Sequence, residues 1–184
     1  MTFLLVALIV IVAPGPDFAL TVRNSVARGR GTATAFGVVS GQLVWVLASA
    51  AGVAAILVAS RPAFETLRLL GAAYLAWLGL SMLLSRGGAR RAPRPGSAYR
   101  QGLVNNLSNP KMPVFFTSLL PQFGTSFAAL ALHGLAFAAL TLAWLLFVAR
   151  TGAALRVPRV RRALDVVTGV VLVAFGFRLA TERR

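Results

Sequence analysis

The sequence contains no cysteine, one histidine and only four acidic residues in 184. Without cysteine there are no disulfides and no thiolate metal sites, and no second histidine or carboxylate is spaced to complete a metal site. The same shortage leaves no evident pair of nucleophile and base for catalysis. We therefore expect no enzyme, no bound metal and no cofactor.

Charge of either sign is also scarce, because charged residues make up 12% of the chain and hydrophobic residues 58%. Soluble domains carry roughly 25% charged residues. A soluble fold has too little polar surface to cover so many apolar side chains. The composition predicts an all-α integral membrane protein in contact with the lipid bilayer.

Long uncharged stretches divide the chain into candidate membrane spans. A helix needs about 20 apolar residues to cross a bilayer, and turn-forming residues from Pro121 to Ser126 divide a longer run in two. We predict six transmembrane helices, at roughly 2 to 22, 34 to 59, 66 to 85, 101 to 122, 127 to 149 and 163 to 180.

The net charge of +15 is unevenly distributed between the two sides of the predicted membrane. Most of the 19 positive residues follow the first, third and fifth spans, and the positive-inside rule assigns that side to the cytoplasm. Both termini are then expected outside the cytoplasm. This placement argues against nucleic-acid binding and is compatible with contact with lipid headgroups.

The chain reads as one transmembrane domain of two similar halves. A basic segment rich in Gly and Pro, residues 86–100, separates a first repeat (1–85) from a second (101–184). Three spans in each half would give the halves opposite orientations in the membrane. The third and sixth helices resemble each other weakly, Gly71 to Leu80 matching Gly169 to Phe177 with one gap.

Small residues lie on one face of the second predicted helix. They are Thr34, Gly37, Gly41, Ala48 and Gly52. The pair Gly37 and Gly41 forms a GxxxG pattern, which favours close helix packing over contact with a substrate.

Two breaks interrupt the hydrophobic pattern, one in the first helix of each half. The first is Pro14-Gly15-Pro16-Asp17, and the second runs from Asn105 to Pro113. Proline removes an amide donor and clashes with the preceding turn, so neither stretch is a regular helix throughout. Matching breaks within a membrane predict a binding cavity between the halves.

Each break also resembles a new helix start, with Pro16 and Asp17 in one first turn and Asn109 as a cap before Pro110 in the other. Amides at such starts, with Lys111 adding positive charge, are candidates to receive a substrate carboxylate.

Asp17 is the only acidic residue well inside a span, and burial there disfavours its charged form. It is a candidate proton carrier or a candidate site for a substrate ammonium. The alternatives are that Asp17 complements the helix dipole or forms a structural ion pair with Lys111.

Other polar or aromatic residues inside the spans give weaker signals. Gln42, Trp45 and Trp144 are candidates to line the cavity, although the tryptophans fit packing or interfacial anchoring equally well. His133 is expected to be a hydrogen-bonded interior group and not a ligand. The predicted substrate-binding residues are Pro14, Gly15, Pro16, Asp17, Gln42, Asn106, Asn109, Pro110 and Lys111.

Five motifs in this order resemble the LysE/RhtB family of bacterial amino-acid exporters over nearly the whole chain. They are Pro14-Gly15-Pro16-Asp17, the stretch from Gly71 to Gly79, Arg100-Gln101-Gly102-Leu103, Asn109-Pro110-Lys111 and Leu120-Pro121-Gln122-Phe123. The segment 86–100 departs from the family in being unusually rich in Arg and Pro.

The resemblance implies a six-helix carrier of the bacterial inner membrane that exports amino acids or close derivatives, driven by protons. A cation or small-solute exporter, an intramembrane enzyme and an accessory membrane protein are the alternatives. The sequence leaves open whether the protein forms a homo-oligomer and which amino acid it exports.

Overall fold

The computed structural model describes residues 3–13, 15–84, 97–109 and 111–151, with single helical positions between 162 and 181. Outside the described residues lie the predicted site residues Pro14 and Pro110, most of the basic segment 86–100 and half of the sixth span. The elements in chain order are α1 (Phe3–Val12), α2 (Pro16–Arg28), α3 (Gly31–Ala59), α4 (Arg61–Leu84), α5 (Ala98–Leu107), α6 (Lys111–Val114), a π-helical segment (Phe115–Leu119), a 3-10 segment (Leu120–Phe123) and α7 (Phe127–Thr151).

Every element in these described ranges is helical, which confirms the all-α prediction. By length and composition, Gly31–Gly52 and Phe127–Thr151 can each cross a membrane, and α1 with α2 forms a third, bent candidate. The helices α3 and α7 closely match the predicted second and fifth spans, and α4 overlaps the predicted third.

The distribution of side chains is that of a protein surrounded by lipid. Leu47 and Leu132 are 66% and 68% exposed, whereas Asn106 and Gln42 are 0% and 1% exposed. Apolar groups facing outward and polar groups facing inward suit a hydrocarbon solvent. The polar side chains that could bind a ligand therefore lie in the interior of the protein.

Helix α3 lies at the centre and packs against α5 and α7. A Cβ added to Gly37 would overlap the carbonyl oxygen of Tyr99, and one at Gly102 would overlap that of Thr34. The α3 and α5 backbones therefore touch, which confirms close packing at Gly37.

The close packing covers only the first half of the small-residue face of α3. At Gly41 an added Cβ would lie 2.7 Å from Asn106 Oδ1. Ala48 is exposed, and no described atom lies within 4 Å of a Cβ at Gly52. Among the described residues, close contact on this face is therefore seen at Gly37 and Gly41 and not at Ala48 or Gly52.

Glycines also join α4 to the described positions near the C-terminus. A Cβ at Gly79 would lie 2.5 Å from Gly169 O, and one at Gly176 would lie 2.7 Å from Ala72 O. The partners run in opposite sequence order, so the two segments cross in antiparallel fashion.

Candidate functional site

The first break separates α1 from α2, whose axes are bent by 52°. Gly15 precedes α2 in an extended conformation (φ −126°, ψ −173°), Pro16 begins the helix and Asp17 lies in its first turn. Proline is well suited to the first helical position because its missing N–H has no partner there anyway. The predicted helix start at Pro16 is confirmed.

The second break begins where α5 ends at Leu107. The Asn109 side chain accepts a hydrogen bond from the Lys111 amide at 3.1 Å, so Asn109 caps the next helix as predicted. That helix, α6, has only four residues before the chain becomes π-helical. The first amide of this helix is thus already bonded to the Asn109 side chain.

Proline accounts for the irregular geometry beyond the cap. Pro113 lies within α6 and cannot donate to the preceding turn. The side chain of Thr117 donates to the Pro113 carbonyl, and that of Ser49 on α3 donates to the Phe116 carbonyl. Side chains thus satisfy backbone acceptors in this irregular stretch.

Asp17 is buried and joined to the second break by three side-chain amides. Asn105 donates to Oδ1 at 2.7 Å, and Asn106 and Asn109 donate to Oδ2 at 2.9 and 3.1 Å. A carboxylate only accepts hydrogen bonds, so three N–H donors match its ionised form.

Lys111 reaches in the opposite direction, from the second break to the first. Its Nζ donates to the carbonyl oxygen of Val10 at 2.8 Å, in the last turn of α1. The last carbonyls of a helix lack partners within it and carry partial negative charge, so an ammonium there is favourable.

The hydrogen bonds of Asp17 thus go to asparagine amides, and that of Lys111 goes to a backbone carbonyl. Within the described residues no direct hydrogen bond joins the two charged groups. The two side chains therefore do not form a hydrogen-bonded ion pair, and Asp17 lies at the positive end of α2, as the helix-dipole alternative predicts.

Both charged side chains line one small cavity of about 20 Å³, part of it open to the outside. Its polar lining comes from Asp17, Gln42, Asn109, Lys111 and Thr141. Its apolar walls are Val10, Ile11, Phe18, Met112, Phe137 and Leu145.

Five of the predicted site residues line this cavity, namely Gly15, Asp17, Gln42, Asn109 and Lys111. Two described ones do not. Pro16 is exposed, and Asn106 reaches the site only through its bond to Asp17.

The amide of Gln42 is held in one orientation on a wall of the cavity. Its Nε2 donates to Thr141 Oγ1 at 3.2 Å, and Thr141 donates onward to the Phe137 carbonyl at 2.9 Å. Gln42 Oε1 is buried with no hydrogen-bond partner among the described residues.

Trp45 and Trp144 do not line this cavity, and their positions agree with the packing alternative. Trp45 packs against the core, and Trp144 stacks on Phe18 with ring centroids 6.4 Å apart. His133 has Nδ1 2.8 Å from the Ala129 carbonyl of its own helix and lies outside the cavity. Among the residues that the structure describes, no three histidine or acidic side chains are grouped to hold a metal ion.

Sequence reasoning missed Asn105 as a site residue and missed a second polar cluster of Arg23, Asn24, Thr34 and Gln101. Asn24 Nδ2 donates to Thr34 Oγ1 at 2.9 Å and to Gln101 Oε1 at 3.2 Å, and Arg23 donates to the same Gln101 oxygen at 3.0 Å. Thr34, Asn24 and Gln101 are all buried. The sequence signal for this cluster was the amide side chains of Asn24 and Gln101, which lie at the ends of predicted spans.

Comparison with known proteins identifies a family of membrane transporters. A family model described as "LysE type translocator" matches residues 8–183. The chain is 37% identical to an "Uncharacterized membrane protein" of Pseudomonas aeruginosa and 31% identical to a "Leucine efflux protein" of Klebsiella pneumoniae, each alignment covering 98% of this chain and 94% of the relative.

A "Leucine efflux protein" of an Enterobacter species is 33% identical, over 71% of this chain and 69% of that relative. No solved structure matches the chain. Members of the matched family are transporters and not enzymes. A chain matched from residue 8 to residue 183, with broken helices around a charged cavity, belongs to the LysE type translocators, a family of membrane transporters.

Proposed function

We propose that this protein is a secondary transporter of the bacterial inner membrane that exports amino acids with apolar side chains in exchange for protons. One observation carries the proposal: an acid from the first break and a lysine from the second line the same cavity. Relatives named for leucine efflux support the substrate class.

The two charges suit the two ends of an amino-acid zwitterion. The substrate ammonium binds Asp17, and the substrate carboxylate binds Lys111. Buried charges in a membrane are costly unless paired, and a zwitterion supplies a partner for each without adding net charge. A hydrogen bond to a charged group typically stabilises by about 1.5–3 kcal/mol, so the two ends together contribute about 3–6 kcal/mol to binding.

The walls of the cavity decide which side chain fits. Phe18, Phe137, Leu145 and Met112 present apolar surface, and the described lining holds no charged side chain besides Asp17 and Lys111. A lysine or glutamate substrate would bury a third, unpaired charge. Leucine and similar aliphatic amino acids are therefore the expected substrates.

Proton coupling follows from the competition of two cations for one carboxylate. Asp17 is the sole acidic side chain in the described cavity lining. A bound substrate ammonium and a bound proton each neutralise it, and they exclude one another. When the substrate leaves outside the cell, a proton binds Asp17 in its place. When that proton leaves inside the cell, Asp17 can bind the next substrate. The cycle exchanges substrate for protons.

We further propose that the 184 residues form one domain of six transmembrane helices in two inverted repeats, with both termini outside the cytoplasm. The antiparallel crossing of α4 with positions 169 and 176 supports a symmetric pairing of third and sixth helices. Because native cysteine is absent, single cysteines test the orientation in intact cells. Cysteine at Ser60 or Thr125 should react with an impermeant thiol reagent, and cysteine at Gly88 should be shielded; the opposite pattern contradicts the orientation.

Transport itself is tested with purified protein in sealed liposomes. Vesicles loaded with unlabelled leucine should accumulate labelled leucine by counterflow, with competition from isoleucine and valine but not from lysine or glutamate. An imposed pH gradient should drive leucine against its concentration gradient. Failure to exchange any amino acid in a broad panel contradicts the proposal, whereas exchange that ignores the pH gradient contradicts proton coupling alone.

A further inference from the structure

We infer that Gln42 is a specificity-determining residue whose Oε1 accepts a hydrogen bond from the substrate's ammonium group, so that the site requires an amine with more than one N–H. This inference rests on the proposed export of amino acids.

The orientation of the Gln42 amide is fixed by a hydrogen bond to α7. Its Nε2 is held by Thr141 Oγ1, and that hydroxyl is itself committed to the Phe137 carbonyl. Rotating the amide would bring two oxygen acceptors together at Thr141 and lose a hydrogen bond. Within this amide, Oε1 and not an N–H is therefore the group left free for a ligand.

Gln42 lines the same cavity as Asp17 and Lys111, and its Oε1 is buried. Gln42 is 1% exposed, and its Oε1 has no hydrogen-bond partner among the described residues. A buried acceptor without a donor is unfavourable, and few native polar atoms are left so. A ligand that brings a donor to this oxygen removes that cost.

The neighbours of Gln42 indicate which end of the substrate it meets. Gly41, the residue before it on α3, packs against the Asn106 side chain that donates to Asp17. Gln42 Nε2 itself lies 4.0 Å from the sulfur of Met112, which follows Lys111. In a cavity shared with both charged groups, an acceptor oxygen repels a carboxylate and attracts an ammonium N–H, so the donor is the substrate's amino group.

A primary ammonium has three N–H donors and satisfies Asp17 and Gln42 together. An N,N-dimethylated ammonium has one N–H and satisfies only one of them. The site should therefore discriminate against N-alkylated amino acids through Gln42 as well as through size.

The test measures displacement of labelled leucine by leucine and by N,N-dimethylleucine, using purified protein. The wild type should prefer leucine by at least tenfold. In Gln42→Leu, leucine affinity should fall by about tenfold or more, equivalent to about 1.4 kcal/mol, while the affinity for N,N-dimethylleucine changes by less than threefold. The ratio of the two affinities should then collapse.

Matched substitutions separate this effect from loss of structure. Gln122→Leu makes the same change outside the cavity and should keep the wild-type ratio. Thr141→Val frees the amide of Gln42 to turn and should lower the ratio, whereas Thr117→Val removes an equivalent hydroxyl-to-carbonyl bond outside the cavity and should not. If Gln42→Leu does not fold, the affinity ratio is compared between Thr141→Val and Thr117→Val, and a lower ratio in Thr141→Val alone supports the role of Gln42.

A wild-type protein that binds leucine while Gln42→Leu and Thr141→Val keep the wild-type ratio overturns the role of Gln42 and leaves the proposed export intact. A wild-type protein that binds no amino acid overturns both.

Discussion

The two broken helices differ in form, and the difference explains how the site is held. The first break is a single bend of 52° between two regular helices, α1 and α2. The second passes through a four-residue α-helix, a π-helical segment and a 3-10 segment. Pro16 begins a helix, where its ring is tolerated, while Pro113 follows the second start by two residues and disrupts it.

Each break supplies the hydrogen-bond partners of the charged side chain in the other break. The carboxylate of Asp17 from the first is held by amides of Asn105, Asn106 and Asn109 from the second. The ammonium of Lys111 from the second is held by the α1 carbonyl of Val10 from the first. Neither break alone satisfies its own charge, so the site exists only where the two breaks meet.

The largest effect is expected from removing the charge of the first break. Asp17→Asn leaves three amide donors facing a side chain with one acceptor and removes the partner of the substrate ammonium. Leucine counterflow should fall at least about 100-fold, consistent with two lost charge-assisted hydrogen bonds of about 1.5 kcal/mol each. Counterflow within threefold of the wild type would remove Asp17 from the mechanism.

Removing the charge of the second break should have a smaller effect. In Lys111→Gln an amide can still donate to Val10 O, so the fold is kept, but the substrate carboxylate loses its ionic partner. Leucine affinity, measured by equilibrium binding, should fall about tenfold or more. Lys111→Met, which leaves Val10 O without this donor, should in addition reduce the yield of folded protein.

The double variant Asp17→Asn with Lys111→Gln distinguishes a shared cavity from an ion pair. Because each group bonds to other partners, the double variant should be no better folded and no more active than Asp17→Asn. Recovery of both folded yield and leucine exchange in the double variant would restore the ion-pair interpretation.

Asn109 allows the cap and the contact with Asp17 to be separated. Its oxygen caps the Lys111 amide and its nitrogen donates to Asp17. Asn109→Ser keeps a capping oxygen and loses the reach to Asp17, whereas Asn109→Ala loses both. The free energy of unfolding should fall by about 1 kcal/mol more in the alanine variant than in the serine variant, as followed by thermal denaturation in detergent. Equal losses would mean that the cap contributes nothing.

The smallest effect is expected where α3 supports the second break. A methyl group in Gly41→Ala would press on Asn106, at 2.7 Å from its Oδ1, and move its amide away from Asp17. Transport should fall severalfold. Gly52→Ala is the control, because no described atom lies within 4 Å of the added group, and it should be neutral or slightly stabilising. Equal transport rates in Gly41→Ala and Gly52→Ala would contradict a role of Gly41 in positioning Asn106.

Both breaks were predictable from sequence because their signals are local. Proline and a charged side chain within an apolar run mark an interruption whatever surrounds it, so Asp17, Asn109 and Lys111 were identified. The cavity they share followed from the paired positions of the two breaks. The helix ends of α3 and α7 followed equally from where the apolar runs stop.

What the sequence did not predict depends on contacts between distant residues. Asn105 meets Asp17 across 88 positions, and Gln101 meets Asn24 across 77, so no local pattern indicates either pair. The two tryptophans were ambiguous because an aromatic side chain in a span suits a cavity and a packed core equally. Only the packing around Trp45 and Trp144 assigns them to the core.

The central claim is that Asp17 binds the substrate ammonium and Lys111 its carboxylate, and ligands lacking one group test it most directly. Binding of leucine, leucinamide and 4-methylpentanoate should be measured for the wild type, Asp17→Asn and Lys111→Gln. Lys111→Gln should lose about tenfold in affinity for leucine and 4-methylpentanoate but little for leucinamide, which has no carboxylate. Asp17→Asn should weaken leucine and leucinamide and change 4-methylpentanoate little, since that ligand has no ammonium. Equal losses for all three ligands in both variants would contradict the assignment.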